Sequence, residues 1–276
     1  MEVKPARLAW GRDWRETGLH LGMGTALGLY LLFLLALAGA ALAFIDRRTL
    51  CSYLHCPEVL FAIRLSLVTA TVSTVLAMAV AVPAAYALSR FRYPGRGLVD
   101  TFLDLPLVLP PIALGFLILA FFQTPPGEAL QRHTLRFVFE VPGIILAQFT
   151  VISGLAIRVL KSTFDDLSPR YERVARTLGF NRWQAFWQIE LPLARNGLIA
   201  GGVLTWARAM GEFGATVIVA GATAMKTEVL SIAIFLNWQS IKIEQGMAIT
   251  LLLIAISLAG LLAFKRLATR RAAEGM

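Results

Sequence analysis

Apolar residues fall along this chain in long blocks and not in half-buried stripes. Six blocks run near Leu19–Ile45, Leu60–Leu88, Leu98–Phe122, Val141–Leu160, Gly197–Gly221 and Gln245–Phe264. A hydrocarbon layer about 30 Å thick takes roughly 20 apolar residues of helix to cross. Lipid offers no partners to backbone N–H and C=O groups, so each block must be helical where lipid touches it. The pattern predicts an all-α protein, a polytopic membrane helical bundle of six transmembrane helices. The polar stretch between the fourth and fifth blocks stands apart. It runs from Pro169 to Gly179 and on to Ile189-Glu-Leu-Pro192, and it is basic and rich in aromatics.

Two blocks depart from smooth helix. The third holds Pro106, Pro110 and Pro111. Proline lacks the N–H and clashes with the turn before it, so this block must kink or unwind, facing protein or a water-filled path. The fifth carries Gly197, Gly201, Gly202, Gly211, Gly214 and Gly221, and the Gly197/Gly201 spacing permits close helix contact. The first block has the basic start of a signal peptide, but its apolar run far exceeds the roughly 7–15 residues of a signal core. It reads as an uncleaved span.

Composition agrees with the blocks. Of 276 residues, 57% are hydrophobic and 16% charged, with a mean hydropathy of +0.68. A soluble domain carries about 25% charge. The net charge of +9 raises nucleic acid as a partner, but the basic residues sit in short loops beside apolar blocks and act as topology signals, so no nucleic acid is expected. With the N-terminus inside, Lys4, Arg7, Arg12, Arg15, Arg90, Arg92, Arg96, Arg158, Lys161, Arg170, Arg173, Arg176, Arg182, Arg195, Lys265, Arg266, Arg270 and Arg271 fall on the cytoplasmic side. Arg47, Arg48, Arg132, Arg136, Lys226 and Lys242 fall outside. This three-to-one bias predicts both termini in the cytoplasm, together with the loop at 161–196. The chain then reads as a cytoplasmic segment over 1–18, one transmembrane domain over 19–266 containing the loop 164–192, and a cytoplasmic tail over 267–276. Two thiols, Cys51 and Cys56, share one outer loop. They lack the ligands of a zinc site, and a disulfide and two free thiols are both open. His20, His55 and His133 have no metal or catalytic spacing, so no metal and no catalytic residue is expected.

The loop has its own internal logic. Ser168-Pro169 suits a helix start. Tyr171, Val174, Ala175 and Leu178 then fall on one helical face, and Gly179 is a natural stop. A second short helix would carry Trp183, Phe186 and Trp187, with Pro192 breaking it before the fifth span. So short an amphipathic helix is marginal alone and needs a groove. The residues leave two readings open: packing beneath the protein's own spans or in the headgroup layer, and insertion into a partner.

A resemblance bears on that choice. Glu172 to Gly179, with Ile189 and Leu191-Pro192 downstream, resembles the Glu-Ala-Ala loop of ABC importer permeases. The Gly179-to-Ile189 spacing and the Leu191-Pro192 end match; Ala175 matches, Val174 replaces the first alanine, and Arg173 stands where the glutamate falls, with Glu172 one place earlier. The resemblance implies a coupling helix made of Glu172, Arg173, Val174, Ala175, Leu178, Gly179, Ile189, Leu191 and Pro192, docking on a cytoplasmic ATP-binding subunit pair. It also implies a second permease copy, giving a homodimer, an extracytoplasmic binding protein, and a multi-pass place in a prokaryotic cell membrane. No phosphate-binding loop pattern occurs, so ATP and Mg are expected on the partner, this chain holding no cofactor of its own and being no enzyme. The stretch Ala207 to Ala215 is similar to permeases for tetrahedral oxyanions, pointing to molybdate or tungstate, with sulfate or thiosulfate as the alternative.

Charges within blocks are costly and face the bundle interior. Arg208 and Glu212, at i and i+4, read first as a self-neutralising ion pair. A gate that separates on opening is the second reading, and a direct anion ligand the third. Thr205, Thr216 and Ser153 are candidate donors along the pathway. Asp100 and Asp104 read as an interfacial cluster with Arg90, Arg92 and Arg96. A self-sufficient secondary transporter would need more mid-span carboxylates than Glu212, and a membrane enzyme would need clustered His, Cys or carboxylates.

Overall fold

The computed structural model describes residues 14–43 and 56–273. Cys51 lies outside the described residues, and with it the Cys51–Cys56 bridge. The first expected span is one helix, α1 (Trp14–Ala43), a unit by itself. The remaining helices are α2 (Pro57–Arg90), α3 (Arg96–Val108), α4 (Pro111–Phe122), α5 (Pro125–His133), α6 (Val141–Asp166), α7 (Arg170–Thr177), α8 (Arg182–Ala185), α9 (Leu191–Met210), α10 (Gly214–Ala220), α11 (Leu230–Gln239) and α12 (Ile243–Ala273). No strand occurs among the described residues.

Four helices, α1, α2, α6 and α12, are long and apolar enough to cross a membrane unbroken. The third and fifth expected spans are instead bent pairs: α3 and α4 turn by 110°, and the helical stretch 182–210 and α10 by 58°. The restriction on residues before proline explains the sharper bend. Leu109 and Pro110 each precede a proline, and both are held extended, at ψ 137°. The milder bend falls at Gly211-Glu212-Phe213, where Gly211 ends α9. Helices α5 and α11 were not expected from the apolar blocks; α11 is apolar but only 10 residues long.

The core is built by small residues. Ala62, Ala70, Ala77, Ala81 and Ala85 of α2 are buried, and α6 lies on them through Ile152, Ala156, Ile157 and Leu160. Without a hydrophobic force between helices in lipid, close approach and internal hydrogen bonds do the holding. The Ser73 hydroxyl donates to Gln148 Oε1 at 3.0 Å, and Gln148 Nε2 donates to the Ala209 carbonyl at 3.3 Å, tying α2, α6 and α9 together. Gly197 sits so close to Thr163 that a Cβ would overlap that side chain, and one on Gly201 would meet Leu160 at 3.0 Å. The expected small-residue contact of α9 is therefore made, and its partner is α6.

Candidate coupling segment and mid-span ion pair

The segment after α6 is a pair of short, capped helices. Helix α7 buries Ala175 and leaves Tyr171, Val174 and Leu178 exposed, with Arg173 and Arg176 beside them. Gly179 adopts φ +92°, the left-handed region that suits glycine. The Phe180 N–H then donates to the Ala175 carbonyl and the Gly179 N–H to Arg176, the two bonds of a Schellman cap. Asn181 and Gln184 start α8 with a reciprocal capping box, at 2.8 and 2.9 Å. Glu172 reaches across to Arg182 at 3.5 Å, joining α7 to α8. Trp183 and Trp187 stand exposed, whereas Phe186 is buried against Tyr86 and Phe164.

The expected break at Pro192 does not occur. A π-helical turn over Phe186–Glu190 leads straight into α9, with Pro192 in its first turn. The wider turn, in which the Leu191 N–H reaches back to the Phe186 carbonyl, absorbs a proline that cannot donate to the turn before it. Ile189 and Leu191 are half-buried where the segment rejoins the bundle, and Pro192 is exposed.

Both ends of the segment are held by one guanidinium. Arg90, at the end of α2, pairs with Glu190 at 3.3 Å and donates to the Leu167 carbonyl at 3.0 Å. The two side chains are only 6% and 1% exposed. The second oxygen of Glu190 and the Tyr86 hydroxyl are buried beside this pair without hydrogen-bond partners among the described residues. Around the corner, Arg158 of α6 grips α3. It pairs with both Asp104 oxygens, with Asp100 at 2.8 Å, and with the Asp100 carbonyl at 2.7 Å. This corrects the expected cluster of Asp100 and Asp104 with Arg90, Arg92 and Arg96. The two carboxylates, one turn apart, present a single face to α6, and Arg158 fills it.

At the bend of the fifth block, Arg208 Nη1 meets Glu212 Oε2 at 2.7 Å. The ion pair expected from the spacing is present. Glu212 also caps α10, its other oxygen accepting from the Ala215 N–H at 3.0 Å. Ser231 donates to the Glu212 carbonyl at 2.8 Å, fixing the bend to α11. Thr205 is fully buried and donates to the Gly201 carbonyl, and Thr216 is fully buried with no hydroxyl partner among the described residues. The half-buried Ser153 donates to the Thr150 carbonyl. Neither threonine is brought to the Arg208–Glu212 pair by a hydrogen bond.

A capped helical pair thus hangs from the bundle with Tyr171, Val174, Leu178, Trp183 and Trp187 exposed. Residues 62–272 match the family described as binding-protein-dependent transport system inner membrane component. The chain belongs to this family. It is a transport permease, a multi-pass inner-membrane component. Among its relatives is the sulfate transport system permease protein CysT of Escherichia coli, 32% identical over 92% of this chain and 93% of that protein. A probable molybdenum ABC transporter permease of Haloferax volcanii is 34% identical over 93% and 91%. The molybdenum transport system permease protein ModB of Escherichia coli is 34% identical over 72% and 87%. A bacterial alginate ABC transporter, in complex with its alginate-bound periplasmic protein, shares the fold: the TM-score is 0.73 over 94% of this chain and 95% of that one, at 17% identity.

In this permease, sequence reasoning missed three things. The Arg90 clamp lies between residues about a hundred positions apart, and no local pattern marks it. Arg158 reads from the sequence only as a topology charge, and its role depends on the packing of α6 on α3. The Asn181-to-Gln184 spacing, by contrast, is a local capping signal that could have been read.

Proposed function

We propose that this permease forms the translocation pathway of an ATP-driven importer for a divalent tetrahedral oxyanion, molybdate or tungstate. ATP and Mg act on a separate pair of cytoplasmic subunits, and this chain does no hydrolysis. Two copies of the permease assemble about a two-fold axis, and an extracytoplasmic binding protein delivers the anion. The Lys and Arg bias supports a cytoplasmic place for both termini and the segment 164–192. The observation that carries the reading is the pre-formed α7–α8 pair, whose Tyr171, Val174, Leu178, Trp183 and Trp187 are exposed although both its ends are pinned by Arg90. Exposed aromatic and aliphatic anchors on a rigid helix fit a groove in a partner.

The segment then works as a lever. Closure of the ATPase pair on ATP moves two such segments together. Arg90 carries that motion into α2, and the unbroken π turn carries it into α9, so the pathway flips from inward-open to outward-open. A specific observation favours sulfate as the second reading: the CysT relative matches nearly the whole chain. The deciding experiment reconstitutes the permease with its ATPase and binding protein in vesicles. Molybdate or tungstate should stimulate ATP turnover and accumulate inside. Stimulation by sulfate alone transfers the reading to sulfate, and ATP-independent uptake defeats the importer altogether.

A further inference from the structure

The Arg208–Glu212 pair is lopsided. Glu212 is 1% exposed, while the Arg208 side chain is 37% exposed. The carboxylate is sunk in the protomer, and the guanidinium reaches out of it. Arginine has five N–H donors, and among the described residues Arg208 spends them on Glu212 alone. Position matters as much. Arg208 lies deep in α9, about 26 Å along the helix from Leu191 at the usual helical rise. An exposed guanidinium that deep does not face hydrocarbon, where an unshielded charge is costly. Its side of α9 faces water or protein.

The surroundings are open on this side of the protomer. Gly211, one turn above, is exposed, and a Cβ built there would meet nothing within 4 Å. Here the backbone leaves the helix, and irregular backbone at membrane depth is tolerated when buried in protein or lining a water-filled cavity. The other broken span arrives at the same level: a Cβ on Gly214 would lie 3.1 Å from Pro111 and from the Ile112 nitrogen. Among the described residues the two helix breaks therefore meet at Gly214, two residues beyond the Glu212 that Arg208 pairs with.

We propose that Arg208 is a transient ligand of the oxyanion in the translocation pathway. This deepens the functional reading above and rests on it. The planar fork of a guanidinium matches two oxygens of a tetrahedral dianion. Glu212 answers the objection that a fixed positive charge would hold a dianion too firmly. It occupies one edge of the fork, makes the pair neutral overall, and leaves the other donors free. In a two-fold assembly two such forks face one path, each strong enough to admit the anion and weak enough to release it.

The test starts from the complete complex in vesicles, with Cys51 and Cys56 replaced by serine. Arg208→Cys is introduced, and its thiol is challenged with charged, membrane-impermeant methanethiosulfonates. Uptake should fall roughly tenfold or more, in line with loss of a charged contact. The cationic reagent should restore much of it and the anionic reagent should not, and saturating molybdate should slow labelling. Arg208→Gln and Arg208→Lys should both raise the KM for the anion, glutamine more than lysine, and these two variants decide the matter if the cysteine variant does not assemble. A thiol that no water-borne reagent reaches, or glutamine and lysine variants with parental KM, would overturn the proposal. If the parent complex itself moves no oxyanion, the functional reading fails instead, and labelling still reports whether the guanidinium faces water.

Discussion

Glu190→Ala is the sharpest probe of the proposed coupling segment. The carboxylate is 1% exposed, its partner Arg90 is 6% exposed, and they lie 3.3 Å apart. Truncation leaves Arg90 buried with the Leu167 carbonyl as its remaining acceptor. Removing one partner of a buried pair costs about 3–5 kcal/mol, because the other charge stays desolvated. Glu190→Gln keeps the volume and an oxygen for Arg90, so its cost should be nearer ~1–3 kcal/mol. Arg90→Met combined with Glu190→Leu removes both charges, and replacing a buried pair with apolar residues of similar size is often neutral. The order of stabilities, read by detergent-titrated unfolding in mixed micelles, should therefore be parent and double variant together, then Gln, then Ala. Transport should follow a different order. The double variant should fold about as well as the parent, but it also loses the Leu167 clamp, so its complex should show ATP hydrolysis by the partner subunits with little uptake. An alanine variant weakened by less than about 1 kcal/mol would show that Arg90 is not held in a dry site, and the lever would lose its fulcrum.

Other substitutions test separate parts of the same structure. Gly179→Asp puts a side chain at φ +92° and spoils the Schellman cap, and deletion of 172–179 removes α7; both should abolish uptake with insertion into the membrane intact, checked by uptake against membrane-fraction yield. Gly197→Leu drives a side chain into Thr163 and should cost about 1–3 kcal/mol by the same unfolding titration, with Gly197→Ala the milder of the two. Trp183→Asp together with Trp187→Asp places two charges on the exposed apolar side, and co-purification with the ATPase subunit should be lost while the permease alone remains folded. Arg158→Met strands Asp100 and Asp104 and should loosen α3, visible as faster hydrogen exchange over 96–108.

Legibility in this chain follows the range of the interaction. The spans were readable because lipid imposes one rule over about twenty residues at a time. The stop at Gly179 and the pairing of Arg208 with Glu212 were readable because each is settled within one or two turns. The bend at Leu109-Pro110 was readable as a place, but its 110° angle was not. That angle depends on what α4 packs against, and Gly115 lies directly on Ala215 and Ile218 of α10. Pro192 shows a local rule overruled. Proline should end a helix, yet a π turn supplied by the residues before it lets the helix continue, and Phe186 in that turn is anchored by Tyr86 and Phe164 from two other helices.

The clamps leave no local mark in the sequence for a related cause. Arg90 and Arg158 lie at or near the ends of apolar blocks, where basic residues are expected for orientation alone. Either charge could serve topology from the headgroup layer without touching protein. What turns Arg90 into a fastener is the Ala-rich face of α2 packed on α6, which brings the end of α2 close enough to dry its guanidinium against Glu190. Arg158 becomes one through the packing of α6 on α3, at a partly exposed site. The alanines thus have two effects at once. They let the helices approach in a solvent that gives no hydrophobic incentive to do so, and they set the distance at which the coupling segment is gripped. A permease with bulkier residues at Ala81 and Ala85 should keep its spans and its loop pattern, but the grip of Arg90 on Glu190 should open, and the lever proposed for the loop would lose its link to the bundle.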